Sequence, residues 1–133
     1  MKKPKISTLK KKAWSLFSQY IRRRDADKDG CTLCFTCGAR KRWRKMHAGH
    51  FIHGHSKPTY LVEDNVHPQC VRCNHFLSGN LLDYGIRMNI DYGSERVQEL
   101  RTLSKQVIKF DRAHYEILIE EYQGKIEQLK EAN

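Results

Sequence analysis

The chain has 133 residues and a mass of 15.7 kDa, enough for one compact domain with a terminal appendage. An apolar content of 39% excludes a wholly disordered chain, and no stretch reaches the roughly 18 uncharged apolar residues of a membrane-crossing helix. The net charge of +10 favours acidic ligands, while the N-terminus MKKPKISTLKKK lacks the apolar core of an export signal, so a cytoplasmic location is expected.

In chain order, Leu9, Ala13, Leu16, Phe17, Tyr20 and Ile21 recur at helical spacing and predict an amphipathic helix over 8–24, capped by Ser7 or Thr8. Asp25 to Gly30 (DADKDG) is a turn; it opens like a calcium loop, but the twelfth position is Thr36 instead of an acid, which excludes calcium. A strand is expected over 43–52, a loop from His53 to Pro58, a second strand over 61–69 and a helix starting near Cys70. Leu81 to Ile90 and Glu95 to Ile108 have helical periodicity, broken at Asp91-Tyr92-Gly93, with Ser94 as N-cap. A last helix over 111–131 places Tyr115, Leu118, Ile119, Tyr122, Ile126 and Leu129 on one stripe.

Five cysteines argue against a closed disulfide framework. Cys31, Cys34 and Cys37 form C-x2-C-x2-C, and Cys70 and Cys73 form a second C-x2-C. Two such knuckles can place four thiolates around one zinc ion. Cys34 and Cys37 are the preferred first pair, because Gly38 follows where a tight knuckle turn needs a permissive backbone. Cys31 is then a spare, and ordinary core cysteines in a reducing compartment are the alternative to zinc.

Charge and histidines are both unevenly spread. Residues 1–45 hold 15 Lys and Arg against 3 acids, whereas residues 46–133 hold 10 against 12. Such a basic half is the footprint of a polyanion partner, nucleic acid being the simplest; a merely solvated surface is the plainer explanation. Six of the seven histidines (His47, His50, His53, His55, His67 and His75) lie between or beside the two knuckles. Imidazoles gathered beside a zinc scaffold suit a metal or acid–base site.

Between the knuckles runs His47-Ala48-Gly49-His50-Phe51-Ile52, then Glu63-Asp64-Asn65-Val66-His67-Pro68-Gln69-Cys70-Val71-Arg72-Cys73-Asn74. This resembles the HNH (ββα-metal) nuclease pattern. AGHF, NVHPQCVRCN and Ser78-Gly79-Asn80 are similar to the lambdoid phage NinG/Rap family, recombination nucleases acting on branched DNA; the similarity runs over about 20–100. The endonuclease VII family has the same layout. The resemblance implies His50 as general base, Asn65 as the central asparagine that orients the histidine or pins the loop, and Asn74 as a ligand of a catalytic Mg²⁺ or Mn²⁺ ion. Many HNH enzymes carry Asp or His just before the base, and here that residue is Gly49. His47 is the first candidate for the missing ligand, since residues 47 and 49 share a face of a strand, with His67, His75 and Asp64 as runners-up.

The expected fold is α+β: a zinc-stapled ββα-metal core over 31–80, a basic N-terminal helix and turn over 1–30, and a C-terminal helical region over 81–133. The expected activity is structure-selective cleavage of DNA at Holliday junctions, D-loops or related branches. A zinc-dependent DNA-binding protein without activity is the alternative. Lys10, Lys11, Lys12, Arg22, Arg23, Arg24, Arg40, Lys41, Arg42 and Arg44 are the candidate phosphate contacts. A homodimer is expected, because a junction needs two nicks; the stripe on the last helix either makes that contact or folds back onto helix 8–24.

Overall fold

The computed structural model describes residues 2–132. Helix α1 spans Ile6–Arg23, with Leu9, Ala13, Phe17 and Ile21 buried four residues apart. Its N-cap is Lys5, so Ser7 and Thr8 lie inside the first turn and do not cap it. Arg22 and Arg23 sit in the last turn, where cations suit the helix dipole. The acidic turn that follows is closed by its own chain: Asp27 Oδ1 accepts from the N–H of Asp29 (2.9 Å) and Cys31 (3.0 Å), while Arg40 clamps Oδ2 at 2.8 Å.

Two small antiparallel pairs carry the knuckles. Strands β1 (Cys31–Leu33) and β2 (Arg40–Arg42) form a hairpin absent from the sequence-based expectation, with Cys31 opposite Arg42 and Leu33 opposite Arg40. Strands β3 (His47–His50) and β4 (Val66–Gln69) pair with His47 opposite Gln69 and His50 opposite Val66. Both are shorter than expected, because Trp43–Lys45 and Glu63–Asn65 wind into 3₁₀ turns. The segment after Cys70 is not an α-helix but a π-helical turn, Arg72–Phe76, followed by left-handed backbone at Ser78, Gly79 and Asn80. Helices α2 (Leu81–Tyr92), α3 (Ser94–Ser104) and α4 (Arg112–Ala132) complete the chain. The break between α2 and α3 falls at Gly93, whose φ of 84° favours glycine; Gly93 itself occupies the N-cap expected at Ser94. Helix α3 stops four residues short of the expected end.

The main core joins the two ends of the chain. Phe17 and Ile21 of α1 meet Ala48 of β3, Val66 of β4 and Tyr122 of α4, and Leu9 and Ala13 meet Tyr115 and Ile119. The α4 stripe therefore folds back onto α1, one of the two alternatives open from the sequence: Tyr115, Ile119, Tyr122 and Ile126 are buried within the chain. Each fully buried apolar side chain contributes about 1.5–3 kcal/mol, so this face is consumed by folding. A second core packs Tyr84 and Met88 of α2 against Val97 and Leu100 of α3, with Phe35 and Phe51 beside them. Among the described residues, no helix is long and apolar enough to cross a membrane.

Candidate functional site

The Sγ atoms of Cys34, Cys37, Cys70 and Cys73 all lie within 4.8 Å of one another. Gly38, at φ 79°, closes the first knuckle by donating to Cys34 O at 2.9 Å. The Cys37–Cys70 sulfur distance is 3.7 Å. A tetrahedron of Zn–S bonds near 2.3 Å has edges of about 3.8 Å, so this donor set fits zinc. Burial opposes ionisation of Cys34, but the Thr36 hydroxyl at 3.3 Å and nearby backbone groups outweigh it and bring the thiol down to about 6. Cys37 and Cys70 are held up by desolvation and by neighbouring sulfurs. Four thiols this close ionise together only around a cation, and these four can hold a structural metal such as zinc. Cys31 lies outside the cluster, on β1.

Beside this cluster a cleft of about 370 Å³ is lined by Trp14, Ala48, His50, His53, Gly54, His55, Tyr60 and Asn74. His50, at the end of β3, is held on three sides. Its Nε2 lies 2.9 Å from Tyr60 O, Trp14 stacks on it at 5.1 Å, and the Tyr60 ring lies parallel at 5.0 Å. A carbonyl only accepts, so Nε2 carries the proton. Burial lowers the His50 pKa below its ordinary value, favouring the neutral ring, and the lone pair of that tautomer sits on Nδ1.

Asn65 makes no hydrogen bond to His50. Its fully buried amide pins the loop instead, accepting from Ile52 N–H (2.9 Å) and donating to Ile52 O and Thr59 O (3.0 Å each). His47 and Asn74 do come together, with Asn74 Nδ2 donating to His47 Nδ1 at 2.9 Å. The space beside the Gly49 Cα is crowded as well: a Cβ there would collide with Gln69 Oε1 and come within 2.9 Å of Asn74 Oδ1.

A family model described as the bacteriophage lambda NinG protein matches residues 1–132. The chain belongs to the NinG family. Among curated relatives, protein ninG of Escherichia phage lambda is 33% identical over 93 residues, covering 69% of this chain and 43% of that protein. Protein ninG of Salmonella phage P22 is 29% identical over 123 residues, covering 92% and 58%. That of Escherichia phage 933W is 32% identical over 93 residues, covering 69% and 44%. The chain spans about half the length of the curated relatives it matches. No solved structure matches it.

The remaining expected site residues of this NinG-family chain are distributed differently. His67 has both ring nitrogens engaged: Tyr84 donates its proton to Gly49 O (2.8 Å), so it accepts from His67 Nδ1–H (2.9 Å), and Nε2 accepts from Tyr92 (2.7 Å). Burial, with the charges of Arg24 and Arg87, drives the His67 pKa down to about 3. Asp64 is ion-paired to Arg96 at 2.8 Å, and His75 is exposed beside Phe76. Of the basic set, Arg24 pairs with Glu63 and Arg40 with Asp27 and Asp29, leaving their charge largely neutralised. Lys11, Lys12, Lys41 and Arg42 are exposed, while Arg22, Arg23 and Arg44 surround Trp43 at 5.1–5.4 Å. Lys10 reaches His55 O and lies over Tyr60. Trp14, Tyr60 and Gln69 carry no sequence signal as site residues: Trp14 lies 36 positions before His50 and Tyr60 ten after it, and no local pattern joins them.

Proposed function

We propose that this chain is a metal-dependent HNH-type DNA endonuclease acting on branched recombination intermediates such as Holliday junctions and D-loops. The observation that carries the reading is the state of His50. It lines the cleft with Asn74, burial favours its neutral form, and donation of Nε2–H to the Tyr60 carbonyl leaves the lone pair on Nδ1. Such an imidazole is a general base: Nδ1 takes the proton of a water attacking the phosphodiester, and the Tyr60 carbonyl stabilises the imidazolium that results. Stacking by Trp14 and Tyr60 fixes the ring plane. Asn65 is a positioning residue, holding the loop that leads to Tyr60.

Donor chemistry supports a hard divalent cation nearby. The side chains of His47 and Asn74, in contact at 2.9 Å, would hold Mg²⁺ or Mn²⁺, the ion taking the Nδ1 lone pair that otherwise accepts from Asn74 Nδ2. When bound, that ion supplies electrostatic stabilisation of charge developing on the phosphate and leaving oxygen. Zinc at the four cysteines serves folding instead. Exposed Lys11, Lys12, Lys41 and Arg42 supply phosphate contacts, which position DNA without reading its sequence. Resolving a junction takes two nicks, so the working unit is a homodimer, assembled through a surface other than the buried α4 stripe.

The absent side chain at Gly49 favours a second reading, a DNA-binding protein without activity. A synthetic four-way junction with Mg²⁺ or Mn²⁺ separates the two. The nuclease cuts it, and His50→Ala shifts the junction in a gel without cutting. A binder leaves it uncut in both forms, and cutting of linear duplex at one sequence would instead indicate a restriction-like enzyme.

A further inference from the structure

We infer that Gln69 supplies the oxygen that Gly49 cannot, making Gln69 Oε1 the third ligand of the proposed cation beside His47 and Asn74. The inference rests on the nuclease reading and completes its ligand set.

Register puts the residues together. His47 pairs with Gln69 across β3–β4, paired residues share a face, and Gly49 shares that face with His47. Gly49 is not among the residues with left-handed φ, so the backbone does not call for glycine there. Space does: the volume of its missing side chain holds the Gln69 carboxamide. The orientation of that carboxamide is fixed by chemistry. Nε2 lies 2.9 Å from Gly79 O, which only accepts, and 3.1 Å from Thr36 Oγ1, so Oε1 must face Gly49. There Oε1 is buried without a hydrogen-bond partner. Asn74 Oδ1 is turned toward the same point, because Asn74 Nδ2 is spent on His47.

Two carbonyl oxygens thus flank one place with no donor between them, an arrangement that a cation satisfies. The resulting set, one imidazole and two carboxamides, is uncharged. Resting affinity for a hard ion is then low, and the ion keeps its full charge for phosphate.

Titration of the zinc-loaded protein with Mn²⁺, followed by loss of the free-ion electron paramagnetic resonance signal, tests this. Gln69→Ala should weaken Mn²⁺ binding by about tenfold with zinc content unchanged. Adding Gly49→Asp to Gln69→Ala should restore binding to wild-type strength or above, since a carboxylate then fills the vacated space; a packing role for Gln69 predicts no such rescue. Wild-type affinity in Gln69→Ala, or no recovery in the double variant, overturns the inference and leaves Oε1 to a bound water. Should Gln69→Ala lose zinc, Gly49→Ala replaces it: its methyl displaces Oε1, and unchanged Mn²⁺ affinity would equally overturn the proposal. If His47→Ala and Asn74→Ala weaken Mn²⁺ binding while the Gln69 and Gly49 variants do not, only this inference fails. If none of the four matters, the cation site of the nuclease reading fails with it.

Discussion

Asn65 and Ile52 exchange two hydrogen bonds, Oδ1 accepting from Ile52 N–H at 2.9 Å and Nδ2 donating to Ile52 O at 3.0 Å. With the third bond to Thr59 O, one buried amide ties both ends of the loop between β3 and Tyr60. Asn65→Ala removes all three and strands the Ile52 backbone groups, so it should cost about 2–4 kcal/mol in urea unfolding. Because Tyr60 O holds His50, junction cleavage should fall as well, and its pH midpoint should move toward the ordinary histidine value. A changed rate with an unmoved midpoint would count against the positioning role.

Zinc removal should unfold the middle of the chain. Cys34, Cys70 and Cys73 are buried and share a cluster with Met46, so four uncompensated thiols would replace a closed metal site. A strong chelator, or Ser at Cys34, Cys37, Cys70 or Cys73, should abolish the cooperative thermal transition seen by circular dichroism. Cys31→Ser should leave both zinc content and melting temperature unchanged.

Half-buried His50 and buried His67 both shape the acid side of the pH response, one through cleavage and the other through stability. Burial lowers the His50 pKa, so cleavage should rise with pH through a midpoint below 6.5 and be level at neutrality. For His67 the folded pKa, about 3, lies below the unfolded value of 6.5. Its neutral form is favoured in the fold, so that stability is full above pH 6.5 and declines as pH falls toward 3. Between pH 7 and 4.5 the wild type should lose about 2–3 kcal/mol more than His67→Gln in urea unfolding; thiol protonation affects both proteins and cancels.

Neutralising exposed and ion-paired cations should have different consequences. Lys41→Ala and Arg42→Ala should each lower affinity for any DNA and reduce the slope of log affinity against log salt by about 1. Arg24→Ala, whose partner is Glu63, should instead lower the melting temperature with little change in that slope. Equal slopes for all variants would remove β2 from the DNA-facing surface.

Tyr122 sits at 4% exposure against Phe17, with its hydroxyl 2.8 Å from Glu63 Oε2. Tyr122→Asp therefore places a carboxylate in the core beside Glu63 and should destabilise the protein by more than about 3 kcal/mol. Light scattering should show unfolded or aggregated chain, whereas a folded monomer derived from a wild-type dimer would return α4 to the role of dimer contact.

Local rules were enough for much of this. The C-x2-C spacing with Gly38 picked the four sulfurs, because a knuckle is a short-range geometry that the adjoining residues dictate. Periodicity located α1 and α4 within two residues, since both are long and carry apolar residues at helical spacing along their whole length. The pairing of His47 with Asn74 followed from strand alternation and the resemblance together. What covers the α4 stripe was not legible: an apolar face states only that it must be covered, and the packing of the first helix on the last decided by what. Nor was the state of each histidine, because His50, His67 and His75 differ in burial and partners that come from Tyr60, Tyr84 and Tyr92, residues distant in sequence. Glycine at position 49 shows the division most sharply. The chain shows a missing side chain; only the pairing of β3 with β4 shows that Gln69 occupies its place.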